Sequence, residues 1–404
     1  MRNLIIATGL LASAAPVMAQ NIPTRTLAKP DAEYAEPFTQ IAGVRELKDG
    51  RVIVIDPRDK TVQAVDLKAG SAVKLGREGS GPGEYAMPFR LLALANDTSA
   101  VVDMLNNRML LINPNAKVGG FVDLNVPAPA GRGDGRGGGM MMVGGNMPTS
   151  SDAKGRMYSE GMPFRMVDGV PQQADSVPMT RWDRATGKRD TLAYRKVPAG
   201  ASQISGGRSG GRANVSVRIG GGPPFSGTDQ MAVAQDGRLA IVHHDPYSVE
   251  FVNEAGQRTR GQPIKYDRVK VSEGHKQEWR ERQKSATMMM MTNDNGRRSA
   301  TMAPNNNVQD PETWGGEYMP PFLQGTNNVV FSNDGYLWVS RTGPAGQPPT
   351  YDLIDRAGNV AQRVVLPKKA RLLGFGNGSV YVARVDEDDL QYLTKYRFTM
   401  PERP

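Results

Sequence analysis

The chain has 404 residues, 50 basic against 41 acidic side chains, a net charge of +9 and no cysteine. The missing thiols exclude a disulfide framework, a thiolate metal site, a thiol nucleophile and a lipid anchor carried on cysteine. A basic balance would suggest nucleic acid in a cytosolic protein. For an exported one it points to envelope polyanions or acidic small molecules, with plain solubility as the blander cause, and no nucleic-acid partner is expected.

Export is what the first residues predict. Arg2 precedes an apolar stretch from Leu4 to Ala15, and Val17-Met18-Ala19 places small residues where a signal peptidase reads them. Residues 1–19 are therefore expected to be a cleaved signal peptide, because the apolar run is shorter than the roughly 20 residues of a spanning helix. Residues 20–404 are then one domain in the periplasm or the medium, with no transmembrane segment and a single copy expected.

A unit recurs along that domain. Pro37-Phe38 leads to Asp49-Gly50 and the strand Arg51 to Asp56; Pro88-Phe89 leads to Asn96-Asp97 and Ala100 to Asp103. A third unit lacks Pro-Phe but keeps the turn at Asp152 to Gly155 and a strand from Arg156 to Glu160. Pro224-Phe225 leads to Asp236-Gly237 and Arg238 to His243, and Pro321-Phe322 to Asp334-Gly335 and Tyr336 to Arg341. The last unit has Asn377-Gly378 and Ser379 to Arg384. Asp-Gly and Asn-Gly supply the positive φ of a two-residue hairpin, and the alternating Val, Ile, Tyr and Trp fit a half-buried sheet. Third strands follow at Thr61–Asp66, Arg108–Asn113, Ser248–Asn253 and Thr350–Asp355, and a fourth at Asn359–Leu366. Units of about 40–50 residues with four antiparallel strands predict an all-β fold, a six-bladed β-propeller.

Wider spacings mark inserts at residues 128–145, 198–222 and 269–318. The first two are Gly- and Arg-rich, with too few apolar residues to offset their ordering entropy. The third carries a predicted helix from Glu273 to Ala286, ahead of the fifth blade. The last unit shows three strands, so Arg25 to Glu33 is expected to supply its outer strand and close the ring.

Gly76 to Tyr85 (GREGSGPGEY) followed by Pro88 resembles a glycine-rich signature of bacterial exported six-bladed propellers related to NHL repeats. Glu317 to Phe322, Asp334 to Val339 and the ending to Phe398 are similar to late blades of that group. The resemblance covers Gln20 to Phe398 and implies a fold rather than a reaction.

The repeat itself nominates a site. Six residues beyond the second turn position stand Asp56, Asp103, His243, Arg341 and Arg384. Equivalent positions in a radial repeat share a height, so these are expected to ring one mouth of the central channel. The arginines there could clamp a carboxylate or phosphate, or the five could pair as structural salt bridges. The favoured reading is an exported, non-enzymatic protein binding a ligand or envelope component through that face, with no cofactor. The alternative is a lactonase-like hydrolase or lyase with a divalent metal such as calcium in the channel. Glu84, Asn106 and Asp103 are donors of the right type for it, without a supporting spacing. His243-His244 beside Asp245 invites zinc or iron, but strand neighbours point to opposite faces. Met140 to Met142 and Met288 to Met291 suit copper(I) chemically, but consecutive methionines beside low-complexity sequence favour packing.

Overall fold

In the computed structural model the described residues are 22–124, 147–167, 170–197, 202–209, 212–219, 222–285, 287–294, 297–305 and 308–399. Five of the six recurring turns are longer than two-residue hairpins. Gly50 N–H donates to Leu47 O while Leu47 N–H donates to Arg51 O, and the pattern repeats at Gly155, Gly237 and Gly335. Each is a four-residue turn completed by a left-handed glycine, with φ of +91° at Gly50 and +85° at Gly335. This longer hairpin adds twist where strands must fan outward. Asn377-Gly378 alone among the six turns closes with two residues, between paired Gly376 and Ser379.

Each turn joins the inner two strands of a four-stranded antiparallel blade. The first blade comprises Gly43–Glu46, Val52–Asp56, Thr61–Asp66 and Ser71–Lys74 from inside to outside. The second comprises Pro88–Ala93, Ser99–Asp103, Arg108–Ile112 and Val118–Asp123. The third comprises Ser150–Ser151, Met157–Glu160, Ser176–Trp182 and Arg189–Lys196. The fourth comprises Gln230–Val233, Leu239–His244, Tyr247–Val252 and Arg258–Arg260. The fifth comprises Val329–Phe331, Leu337–Arg341, Thr350–Ile354 and Val360–Val365. The sixth has Ala370–Gly376, Ser379–Val385 and Gln391–Arg397.

The segment before the first blade closes the ring, divided between two blades. Ala32–Glu33 is the antiparallel outer strand of the sixth blade, and Thr24–Thr26 adds parallel to the outer strand of the fifth.

Among the described residues, six apolar clusters fill the gaps between neighbouring blades. Ile53, Ile55, Val101 and Leu110 join the first and second, and Tyr158, Met179, Leu239 and Ile241 join the third and fourth. Trp338, fully buried, packs on Tyr351, Phe375 and Phe398 between the fifth and sixth. Tyr381 and Leu393 of the sixth meet Val52 and Val54 of the first, which makes the chain of interfaces circular. Burying each large side chain contributes about 1.5–3 kcal/mol, so the ring is held by blade-to-blade packing.

Connection lengths differ sharply between the two faces. Joins from first to second and from third to fourth strand are tight, none longer than residues 183–188. Joins from second to third strand, and from blade to blade, include 161–175, 342–349, 75–87, 124–149, 197–229 and 261–328. All three inserts therefore leave from one face. Residues 128–145 lie outside the described residues. Within 198–222 the backbone forms the hairpin Ser202–Ser209 and Arg212–Ile219, and within 269–318 a helix, Glu273–Ser285, precedes the hairpin Thr287–Asp294 and Arg297–Pro304.

Candidate functional site

The helix is fixed to this loop-bearing face by specific contacts. His275, buried, accepts from Ser272 N–H at 3.1 Å through Nδ1, and its Nε2 meets Gly343 O at 2.9 Å in the fifth blade's loop. Trp314 stacks on Phe225 at 5.7 Å and meets Trp279 of the helix edge-on at 5.3 Å. The Pro-Phe motif thus anchors an insert here. At Phe38 and Phe322 it serves instead as core between blades.

Asp56, Asp103 and Arg341 end their second strands, and His243 and Arg384 are the last but one of theirs. Each therefore stands at the loop-bearing end of its blade. In the third blade the same offset falls on Gly161, which has no side chain to contribute.

The two acids are occupied by backbone. Asp56, 1% exposed, accepts from the N–H groups of Gln40 at 2.8 Å, Arg58 at 2.9 Å and Asp59 at 3.1 Å. Burial nonetheless pushes its carboxyl above the usual range. Asp103, with no exposure, accepts from Ala86 and Met87 N–H and from Asn106 Nδ2 at 2.6 Å, with Arg108 Nε at 3.6 Å. In both blades the carboxylate ties the lead-in of the inner strand to the end of the second. These bonds make each carboxylate a joint of its blade.

Both arginines are matched within or across the sheet. Arg341 Nη1 lies 3.5 Å from buried Asp352 on the third strand, which Arg363 also holds at 3.0 Å. Arg384 forms a fork with Glu33 at 2.9 and 2.7 Å on the outer strand, over the ring of Tyr392. Their side chains run outward along their own blades. No described contact joins any two of the five.

His243 is the exception, because it belongs to a cluster. Asp229, just before the fourth inner strand, uses Oδ2 for His243 Nδ1 at 2.8 Å and Oδ1 for His244 Nδ1 at 2.7 Å. It also accepts from His244 N–H at 3.1 Å. The imidazoles converge on Asp229, not on Asp245, since His244 is the last residue of its strand. Gly227 makes room, for a Cβ there would come within 2.2 Å of His244 Cδ2. With Nδ1 toward the carboxylate, His244 presents Nε2 outward, the arrangement of an oriented acid–base group. On the other side, His243 Nε2 is 3.6 Å from Glu250, itself paired with Arg258 at 2.6 Å.

Burial alone would push the Asp229 carboxyl up, but hydrogen bonds from His243 and His244 outweigh it and hold the group well below the usual range. A carboxyl depressed on folding contributes stability above its unfolded pKa of about 4 and loses it as pH falls further. The urea midpoint of the protein should therefore drop more between pH 5 and pH 2 than that of Asp229→Asn. Equal drops would show that the cluster contributes nothing to acid stability.

The oxygens nominated for calcium do not converge on an open position. Glu84 is taken by Arg77 and Gly81 N–H, each at 2.7 Å, and Asn106 turns its amide nitrogen, not its oxygen, toward Asp103. Together they brace the glycine-rich loop. Met140 to Met142 lie outside the described residues, and Met288 to Met291 fall on the first strand of the hairpin after the helix. On the opposite, tight-turn face a shallow groove is lined by Asp236, Arg238, Phe251, Glu254 and Arg356. Its acids are already paired, Asp236 with Arg356 at 3.2 Å and Glu254 with Arg156 at 2.6 Å.

Sequence reasoning missed Asp229, Arg90 and Arg371. The last two occupy inner strands near their loop-bearing ends. The available signal was positional: Arg90 directly follows Pro88-Phe89, and a residue on an innermost strand borders the channel.

No family model and no curated relative matches the chain. Among solved structures it is similar to a Bacteroides fragilis protein described as exported, at 10% identity and TM-score 0.44, covering 93% of this chain and 94% of that one. It is also similar to the calcium-binding protein regucalcin of Agrobacterium tumefaciens, at 11% identity and TM-score 0.39 over 94% and 98% of the two chains. Virginiamycin B lyase of Staphylococcus aureus matches at 11% identity and TM-score 0.37 over 92% and 89%. The architecture of this chain, a six-bladed β-propeller of four-stranded blades, rests on its own strand pairing.

Proposed function

We propose that this is an exported propeller of the NHL-like kind that binds a ligand or envelope component through its loop-bearing face, without catalysing a reaction. The observation that supports it most is the asymmetry of connections, with every insert on the face where the second strands end. Binding residues concentrate on variable loops that a rigid scaffold positions. One observation favours a second reading as hydrolase or lyase: His244, 37% exposed, held by Asp229 as an acid–base group.

The absence of cysteine makes a direct test available. Glu387→Cys, in the loop-bearing connection of the sixth blade, and Asn377→Cys, in its opposite turn, each receive a bulky maleimide. Native mass spectrometry after incubation with a small-molecule extract of the host should show a retained mass that the label at 387 removes and the label at 377 leaves. Loss only at 377, or no retained mass, defeats the proposal. Export predicts a mature N-terminus at Gln20 in the envelope fraction or medium, and an intact Met1 there rejects it.

A further inference from the structure

Among the described residues, most buried cations are paired with acids. Arg45 meets Asp97 at 2.9 Å, Arg156 binds both Asp152 and Glu254 at 2.6 Å, and Arg195 binds Glu160. That is the expected pattern, because an uncompensated buried charge is costly. Among the described residues Arg90 and Arg371 depart from it, and both sit on innermost strands whose blades flank the first.

Arg371 Nη2 donates to Ile41 O at 2.7 Å and to Gln391 Oε1 at 2.9 Å. Arg90 Nη1 reaches only Thr149 O, at 3.5 Å. Among the described residues no carboxylate is hydrogen-bonded to either. The acid whose charge acts on Arg90 is Glu160, already bonded to Arg195. The group acting on Arg371 is Tyr351, whose hydroxyl burial pushes up to about 12, so it is a neutral phenol. Protein closely surrounds both guanidinium groups, and that burial lowers both pKa values. Each of the two residues nevertheless keeps partial solvent exposure. Neutral acceptors thus meet the planar forks without neutralising them, on inner strands near their loop-bearing ends.

We propose that Arg90 and Arg371 form an oxyanion site in the channel mouth, which takes the carboxylate or phosphate of a small molecule. It rests on the loop-bearing face being the binding face and supplies the chemistry of that face. Guanidinium forks suit planar or tetrahedral oxyanions, and the partly dry surroundings strengthen the contact. The role given by the repeat to Arg341 and Arg384 passes to Arg90 and Arg371, because only the second pair lacks a resident acid.

The test is calorimetric titration of the full mature chain with citrate and with inorganic phosphate, at ionic strength held constant with sodium chloride. At least one should bind, and Arg371→Gln and Arg90→Gln should each weaken it roughly tenfold or more, in line with loss of a charged hydrogen bond. Arg384→Gln should bind as the parent does. Arg371→Lys keeps charge and fold while losing the fork, and an affinity between parent and Arg371→Gln supports the site. Absence of binding by both anions, or full affinity in the Arg90 and Arg371 variants, overturns it. Failure of both anions to bind while the label at Glu387→Cys still displaces a host ligand would overturn this site and leave the loop-bearing face as the binding face.

Discussion

A variant lacking residues 22–33 should lose on the order of 5 kcal/mol of stability and unfold less cooperatively. Those residues hold two blades at once. Leu27 is buried among Trp338, Leu353 and Val364, and its N–H donates to Val365 O at 2.9 Å. Pro23 O accepts from Arg363 N–H and Asp31 N–H donates to Lys395 O, both at 2.8 Å, while Glu33 pairs with Arg384. One buried leucine contributes about 2 kcal/mol and each hydrogen bond about 1 kcal/mol net, which sums to the figure given. The deletion also exposes the edges of the fifth and sixth blades, inviting association. Differential scanning calorimetry should show a lowered, broadened transition, and light scattering should detect oligomers. A sharp transition at the parent temperature would mean that the ring closes without this segment.

How much of this could be read from residues alone depended on whether the feature was local. The second strands were legible because a glycine turn and alternating Val, Ile and Trp mark them within a few positions. Thr61–Asp66 and Ser379–Val385 fall where the pattern puts them. The outer half of the third blade was not legible, since the hairpin Phe164–Val167 and Val170–Gln173 separates Glu160 from its partner strand at Ser176. The division of residues 24–33 between two blades was likewise hidden, because parallel pairing to a strand far away in sequence leaves no local mark. At the site, equivalence in the repeat gave the right end of each blade for Asp56, Asp103, His243, Arg341 and Arg384. It could not show which side chains were occupied: Glu33, Asp352 and Asp229 reach them across strands, and only the folded chain places those acids.

Asp103→Asn should destabilise the protein by about 3 kcal/mol or more while leaving citrate or phosphate binding unchanged. The carboxylate is fully buried and accepts from Ala86 N–H, Met87 N–H and Asn106 Nδ2, with Arg108 close by. An amide in its place has one acceptor oxygen and turns a donor toward other donors. It also leaves Arg108, almost fully buried, without its acid, although Gly81 O and Glu84 O still accept from its Nη2 at 3.1 and 2.9 Å. Breaking a buried pair from one side costs about 3–5 kcal/mol, and the carbonyls at Arg108 keep the expected loss near the lower end. Urea denaturation with parent and variant at pH 7 measures it. Because Asp103 ties Met87, just before the strand carrying Arg90, to the end of the second strand, a large loss of stability with intact anion affinity marks it as a joint. Loss of affinity without loss of stability would return it to the binding site that the repeat first suggested.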